Sequence, residues 1–248
     1  SEASRIYERY PYIGQDSESY CPTCDKKGTF VWKGQTWKCD CHHQLQLYKH
    51  YLAAGIGNPY QRLEWTDFEG CDEIVAKLAG YLQNHQRYVA RGVGLFFTGP
   101  RGTGKTMLAT LILKSFVKYG YTCFSTTFSQ AIDLFTAGFT SSDDKIYFRK
   151  KFVDSQVLLL DDIGREKRSK LSETTLESVL RTRVQEGRPT FITTNMSAAE
   201  LETGYGAAVL SLLKEVSLYY EFSGDDFRSK ARERNEDEIT GIVTRPIT

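Results

Sequence analysis

Short apolar runs alternate with amphipathic stretches along most of this chain. Leu95-Phe96-Phe97-Thr98, Thr122 to Thr127, Val157-Leu158-Leu159-Leu160, Thr190 to Asn195 and Val216 to Phe222 have strand length. The four apolar residues at 157–160 suit a strand covered on both faces, as in a parallel sheet. Between these runs, Cys71 to Val89, Met107 to Tyr119, Ser129 to Phe139, Asp143 to Phe152 and Leu171 to Gln185 read as helices. Gly120 stands where a C-cap glycine belongs, and Pro189 marks a strand start. Nearer the beginning, Gln44 to Ala54 reads as a helix with Leu45, Tyr48 and Leu52 as its apolar stripe. Gly55-Ile56-Gly57-Asn58-Pro59 breaks it and reads as a linker. Strands alternating with helices predict an α/β domain on a five-stranded parallel sheet, beginning near Tyr60.

The turn after the first of these strands carries the most specific chemistry. Gly99-Pro100-Arg101-Gly102-Thr103-Gly104-Lys105-Thr106 fits G-x-x-x-x-G-K-[ST], and it lies between a strand and a helix. That context is what a phosphate-binding loop needs. The turn points backbone N–H groups at phosphate, and the helix N-terminus adds a favourable dipole. Lys105 is expected to neutralise the β and γ phosphates of ATP or ADP, and the Thr106 hydroxyl to hold Mg²⁺.

Asp161 and Asp162 end the apolar run at 157–160. The C-terminal ends of parallel strands are where α/β sites form. Asp161 reads as the carboxylate acting on Mg²⁺, the Walker B acid, and Asp162 as the group that polarises an attacking water. Asn195 ends the next strand, placed to touch the γ-phosphate or the lytic water, a sensor 1 role. Ser197-Ala198-Ala199-Glu200 is a capping box for the following helix, which leaves Asn195 free. A strand between the two motifs, with a second acid beside the Mg²⁺ carboxylate, marks the RecA/AAA+ side of the P-loop NTPases.

At 248 residues the chain has room for one sizeable domain and a small appendage. Its net charge of +1 excludes wholesale electrostatic coating of nucleic acid, so any such binding must come from local patches. No apolar run reaches the roughly 18 residues of a membrane helix. The polar start, Ser1 to Arg5, is not that of a signal peptide. A cytoplasmic protein without a membrane partner is the expectation.

Four of the six cysteines crowd into C-x2-C-x14-C-x-C, at Cys21, Cys24, Cys39 and Cys41. Phe30 to Trp37 lies between the pairs and reads as a hairpin turning near Gly34. Two close cysteine pairs bracketing a hairpin is the design of a Zn²⁺ ribbon. The metal substitutes for a core that so short a segment cannot build. The C-x-C pair is less regular than C-x2-C, which leaves His42 or His43 as a replacement for one cysteine. Cys71 and Cys123 stand alone and read as ordinary buried thiols.

The sequence resembles the bacterial and phage helicase-loader ATPases of the DnaC/DnaI family, with IstB-type transposition ATPases as close relatives. The resemblance rests on Gly55 to Tyr60, Gly99 to Thr106, Leu159-Leu160-Asp161-Asp162-Ile163-Gly164 and Arg188 to Asn195. Asp225-Asp226-Phe227-Arg228 is similar to the family's sensor 2 segment, which implies a role for Arg228 on the nucleotide in cis. A cysteine-rich module ahead of the ATPase resembles the DnaI branch. The resemblance implies a zinc module over residues 1–54 that binds a partner and an AAA+ domain over 55–248 that self-associates. It implies loading of a hexameric replicative helicase onto single-stranded DNA, driven by ATP, inside a bacterial or phage-infected cell. The rivals are an ATPase assisting DNA transposition and a nucleotide-switched adaptor that does not hydrolyse.

Family members usually carry arginines in the helix before the last strand, one of them acting on a neighbour's nucleotide. Here Gly206 to Lys214 contains none. An arginine finger contributes about 10³–10⁵ in rate, so slow intrinsic turnover is expected. Arg181, Arg183 and Arg188 are the candidate substitutes; Arg181 and Arg183 either face a subunit interface or pair with Glu177 and Glu186. DNA contact falls either to Lys145 to Phe152, which mixes aromatics with cations, or to Arg165, Lys167, Arg168 and Lys170. The alternative for 145–152 is an amphipathic helix with its apolar face packed.

Overall fold

The computed structural model of the chain describes residues 27–138, 141–166, 169–224, 226–240 and 247–248. Cys21, Cys24, Lys167, Arg168 and Asp225 lie outside the described residues, as does the side chain of Cys41.

The first described element is an antiparallel hairpin, β1 (Thr29–Trp32) and β2 (Gln35–Lys38). Its two-residue turn has φ of 50° at Lys33 and 77° at Gly34. Positive φ at both positions is what a type I′ turn needs to match the strand twist. The expected hairpin is therefore present. Helix α1 (Asp40–Ala53) follows, then α2 (Asn58–Gln61), α3 (Asp72–Gln83) and α4 (His85–Ala90). The remaining elements alternate: β3 (Gly94–Thr98), α5 (Lys105–Lys118), β4 (Cys123–Thr127), α6 (Phe128–Ala137), α7 (Ser142–Phe148), β5 (Val157–Ile163), α8 (Lys170–Gln185) and β6 (Thr190–Thr194). Helices α9 (Ala198–Tyr205) and α10 (Ala207–Val216) lead to β7 (Ser217–Glu221) and α11 (Arg228–Ile239).

The five central strands form one sheet in the order β4-β5-β6-β3-β7, and every pairing is parallel. The predicted α/β, five-stranded parallel architecture is therefore the one observed. The strand lying in space between the loop strand β3 and the acid strand β5 is β6. Strand β4, which intervenes in sequence, sits at the edge. Alternate residues of the apolar strands point to opposite faces. Leu95, Phe97, Val157, Leu159 and Phe191 join one core with Leu108, Ile112 and Phe116 of α5. Phe96, Leu158, Leu160 and Ile192 join the other with residues of α6, α8 and α10.

Three expected helices differ in extent. Cys71 to Val89 is two helices, because Asn84 leaves helical geometry and its side chain donates to Gly80 O at 2.9 Å. Asp143 to Phe152 begins as α7 and ends in a π-helical turn, Arg149–Val153. Gln44 to Ala54 starts earlier, at Asp40.

The division expected after residue 54 falls inside a packed body. Tyr48 and Tyr51 of α1 are buried in the same core as α5 and β3. The Tyr51 hydroxyl donates to Thr248 O at 2.6 Å, and the Ser125 N–H to Ala54 O at 2.7 Å. The Gly55–Pro59 segment is thus pinned to the edge of the sheet. Tyr51, three residues after Tyr48, shares that face though the expected stripe omitted it, and its bonded hydroxyl lets it sit inside.

Candidate functional site

The glycine-rich loop joins β3 to α5 and closes over the buried Lys105 side chain. At Gly102, φ is 82° and a Cβ would stand 2.1 Å from the Asp226 carboxylate, so only glycine fits. Lys105 Nζ donates to Gly99 O at 2.8 Å and to Pro100 O at 2.5 Å. Burial lowers the pKa of this ammonium, while the charges of Asp162 and Asp161 oppose the shift.

Asp161 is the point where three elements meet. The Thr106 hydroxyl of α5 donates to its Oδ1 at 2.8 Å, and the Thr193 hydroxyl of β6 to the same oxygen at 2.6 Å. Burial raises the Asp161 carboxyl above the ordinary carboxylate range, and the two hydroxyls partly offset this. Asp162 follows with φ of 59°, at a break in the β5–β6 register between Leu160 and Ile163. A residue in this conformation at a strand end turns its side chain away from the pleat. The Asp162 N–H donates to Thr193 Oγ1 at 2.9 Å, and Asn195 Nδ2 donates to Asp162 Oδ1 at 3.0 Å. Arg165 Nη1 holds the other oxygen at 2.8 Å. Gly164, at φ 97°, lets the chain turn under Met196, whose sulfur would lie 2.2 Å from any Cβ there.

A cleft of roughly 930 Å³ opens over these groups, lined by Tyr60, Arg101, Lys105, Asp161, Asn195 and Arg228 among others. Its far wall is the 59–69 segment, including Pro59, Leu63 and Phe68. That wall is held by Lys114 of α5, whose ammonium donates to the carbonyls of Tyr60 (3.1 Å), Gln61 (3.0 Å) and Leu63 (2.6 Å). Burial takes the Lys114 pKa down to about 8. Arg228 opens α11 with its side chain largely in solvent, and the neighbouring Phe227 N–H donates to Gly102 O at 3.0 Å. The C-terminal segment is hooked onto the loop by that bond.

The cleft brings together Arg101, Gly102, Gly104, Lys105, Thr106, Asp161, Asp162, Asn195 and Arg228; Gly99, Pro100 and Thr103 belong to the same loop but do not line it. Sequence reasoning missed Thr193 and Lys114. Thr193 had a signal, since alternate residues of a strand share a face and Thr193 precedes Asn195 by two. Lys114 carried no local signal, because the carbonyls it binds lie more than 50 residues away in sequence. The donor set fits the ligands implied by the loop. A threonine hydroxyl and a carboxylate 2.8 Å apart are hard oxygen ligands suited to Mg²⁺, beside an anion-binding helix N-terminus.

Other expected residues lie elsewhere. Arg183 is wholly buried, which corrects its reading as an interface residue. Its guanidinium donates to the carbonyls of Ser155 (2.8 Å), Pro189 (2.7 Å) and Phe152 (3.1 Å) and to Thr190 Oγ1 (2.9 Å). It does not pair with Glu186; Arg188 does, at 3.1 Å, and also donates to Val153 O. Arg181 pairs with Glu177 at 2.8 Å on the surface. In 145–152 the apolar side is packed: Phe148 stacks on buried Phe152 with centroids 4.3 Å apart, and Lys151 donates to Ala53 O at 2.7 Å. Ile146 and Tyr147 remain exposed. Cys39 is buried where β2 meets α1, its N–H bonded to Gly28 O at 2.9 Å. Among the described residues no group of three or more His, Cys, Asp or Glu side chains is placed to hold a metal. Burial raises the Cys123 thiol to about 12, as an inert thiol requires. Among the described residues no helix is long and apolar enough to cross a membrane.

Known proteins share this fold. The replicative helicase loader DnaC of Escherichia coli strain K12 is 23% identical over 194 residues, covering 75% of this chain and 77% of its own. A crystal structure of the DnaC helicase loader superposes with a TM-score of 0.57 at 23% identity, over 71% of this chain and 99% of that one. A crystal structure of DnaI gives 0.56 at 21% identity, over 67% and 94%. These likenesses establish an AAA+ P-loop fold. Residues 42–232 match the model of the IstB-like ATP binding protein family, and the chain belongs to that family.

Proposed function

We propose that this chain is an ATP-dependent loader of a replicative DNA helicase onto single-stranded DNA, acting in the cytoplasm of a bacterial or phage-infected cell. The observation that carries the reading is the convergence of Thr106, Asp161, Asp162 and Asn195 on one cleft, in a fold like that of the DnaC loader.

The loop from Gly99 to Thr106, including Pro100, Arg101 and Thr103, binds the phosphates of ATP, and Lys105 leaves its loop carbonyls for them. Thr106 and Asp161 hold Mg²⁺, which neutralises phosphate charge when bound. Asp162 orients and polarises water for attack on the γ-phosphate, with Asn195 fixing that carboxylate through its 3.0 Å hydrogen bond. Arg228 swings from solvent onto the phosphates as sensor 2. The chain self-associates through the ATPase body. Cys21, Cys24, Cys39 and Cys41 hold Zn²⁺ in an N-terminal module that grips the helicase. The burial of Cys39 at the hairpin–helix junction supports this.

Capture of a hexameric replicative helicase by the purified chain, strengthened by ATP, tests the proposal. No capture with either nucleotide state would refute it. The family match also fits an ATPase assisting transposition, for which duplex DNA would stimulate turnover more than single strands. The absence of arginine from α10 favours a third reading, a nucleotide-switched adaptor, for which turnover would stay at background with every DNA and partner.

A further inference from the structure

The hairpin presents a face that neither core uses. Phe30 pairs with Trp37 and Trp32 with Gln35, so these four residues share one face of the ribbon. Trp32 and Trp37 are 55% and 46% exposed, and their rings meet edge to face with centroids 6.3 Å apart. Neither ring belongs to either hydrophobic core. Burying two indoles is among the largest gains a fold can make, yet here about half of each stays in water. The Lys33 ammonium lies 4.4 Å from the Trp32 centroid. Lys27, Lys33 and Lys38 are the charged residues of 27–39, a stretch without Asp or Glu. In a chain of net charge +1, that is a local positive excess.

We infer that the β1–β2 hairpin is a single-stranded nucleic-acid platform, on which Trp32 and Trp37 stack bases while Lys27, Lys33 and Lys38 track phosphates. Exposed aromatics interleaved with cations are the physical requirement for such binding, and stacking tolerates any sequence because every base has a π-face. The Lys33 ammonium on Trp32 sets a cation beside an aromatic ring, the pairing of charge and π-face that such a site combines. The site deepens the single-strand reading above but does not rest on nucleotide chemistry.

The test is a titration of the full chain with oligo-dT, following intrinsic tryptophan emission. The chain has three tryptophans, so a Trp65→Phe background isolates the hairpin pair. Stacking should quench the emission, and the Trp32→Ala/Trp37→Ala double variant should bind oligo-dT at least about fivefold more weakly. Lys33→Gln should flatten the salt dependence. Heparin, a polyanion without bases, should neither quench the emission nor respond to the tryptophan changes. Retained binding of a fluorescent ATP analogue shows that the variants are folded. Oligo-dT affinity unchanged in the double variant overturns the inference, and so does equal quenching by heparin. Loss of helicase capture with oligo-dT affinity intact assigns the face to a protein partner and also overturns it. Indoles shielded from iodide before DNA is added show that another part of the chain covers the face, and this too overturns it. The measurement runs equally in Lys105→Ala, so its failure leaves the loader proposal standing, and failure of helicase capture leaves the platform standing.

Discussion

Arg165 Nη1 donates to Asp162 Oδ2 at 2.8 Å, while Asn195 occupies the other oxygen. The carboxylate proposed to polarise water is thus held on both sides. Both carboxylate oxygens are therefore engaged by side chains, and Arg165 sits on an exposed loop that a polyanion can reach. Arg165→Gln should raise basal ATP turnover severalfold and blunt its stimulation by DNA. Turnover equal to or below that of the parent chain would show that the pair positions Asp162 productively.

Lys105→Ala should weaken ATP binding by more than about tenfold, since a charge-assisted phosphate contact is worth roughly 1.5–3 kcal/mol. Asp162→Asn should leave nucleotide affinity within about threefold and reduce turnover at least about 100-fold. Equilibrium binding of a fluorescent ATP analogue and a phosphate-release assay separate the two. Unchanged affinity in Lys105→Ala would remove the phosphate-loop assignment.

Burial raises the Asp161 pKa in the folded chain above its unfolded value. Between those two values the folded state holds a proton that the unfolded state has released. Stability of the nucleotide-free chain therefore falls as pH rises through that window, and Asp161→Asn should remove the cost at neutral pH. Mg²⁺-dependent nucleotide binding needs the charged form, so it should fail on acidification sooner than for an ordinary carboxylate. Urea midpoints and nucleotide affinities measured from pH 4 to pH 8 check both signs.

Arg183→Ala should destabilise the fold by about 3–5 kcal/mol, because several buried carbonyls and Thr190 lose their donor together. Arg181→Ala should cost less than about 1 kcal/mol, as an exposed pair does. Urea unfolding distinguishes them. Neither should change turnover; a selective catalytic loss in a stable Arg181→Ala would make it the missing finger.

One Zn²⁺ per chain is expected in protein purified without chelator, and Cys39→Ser should lower that content and weaken partner capture while sparing ATP binding. Elemental analysis finding no zinc in the parent chain would dismiss the metal module.

Local pattern determined the sheet, the loop and the acids. The strands at 95–98 and 157–160 are apolar on successive residues because both faces are covered, which a sequence reports directly. The glycine spacing of 99–104 and the adjacent lysine and threonine report a backbone shape, so they too were legible. Tertiary structure alone decided the fate of charged and polar side chains whose partners are distant in sequence. Arg183, expected either at an interface or paired with Glu186, is instead buried because the carbonyls of 152–156 and Pro189 converge on it. Lys114 anchors a wall of the cleft more than 50 residues away. Helix α1 joins the ATPase core because Tyr48 and Tyr51 find α5 and the chain's last residues, contacts that no local period encodes. Apolar periodicity reveals which face is buried; it cannot reveal which partner satisfies a buried polar atom, because that partner is chosen by folding.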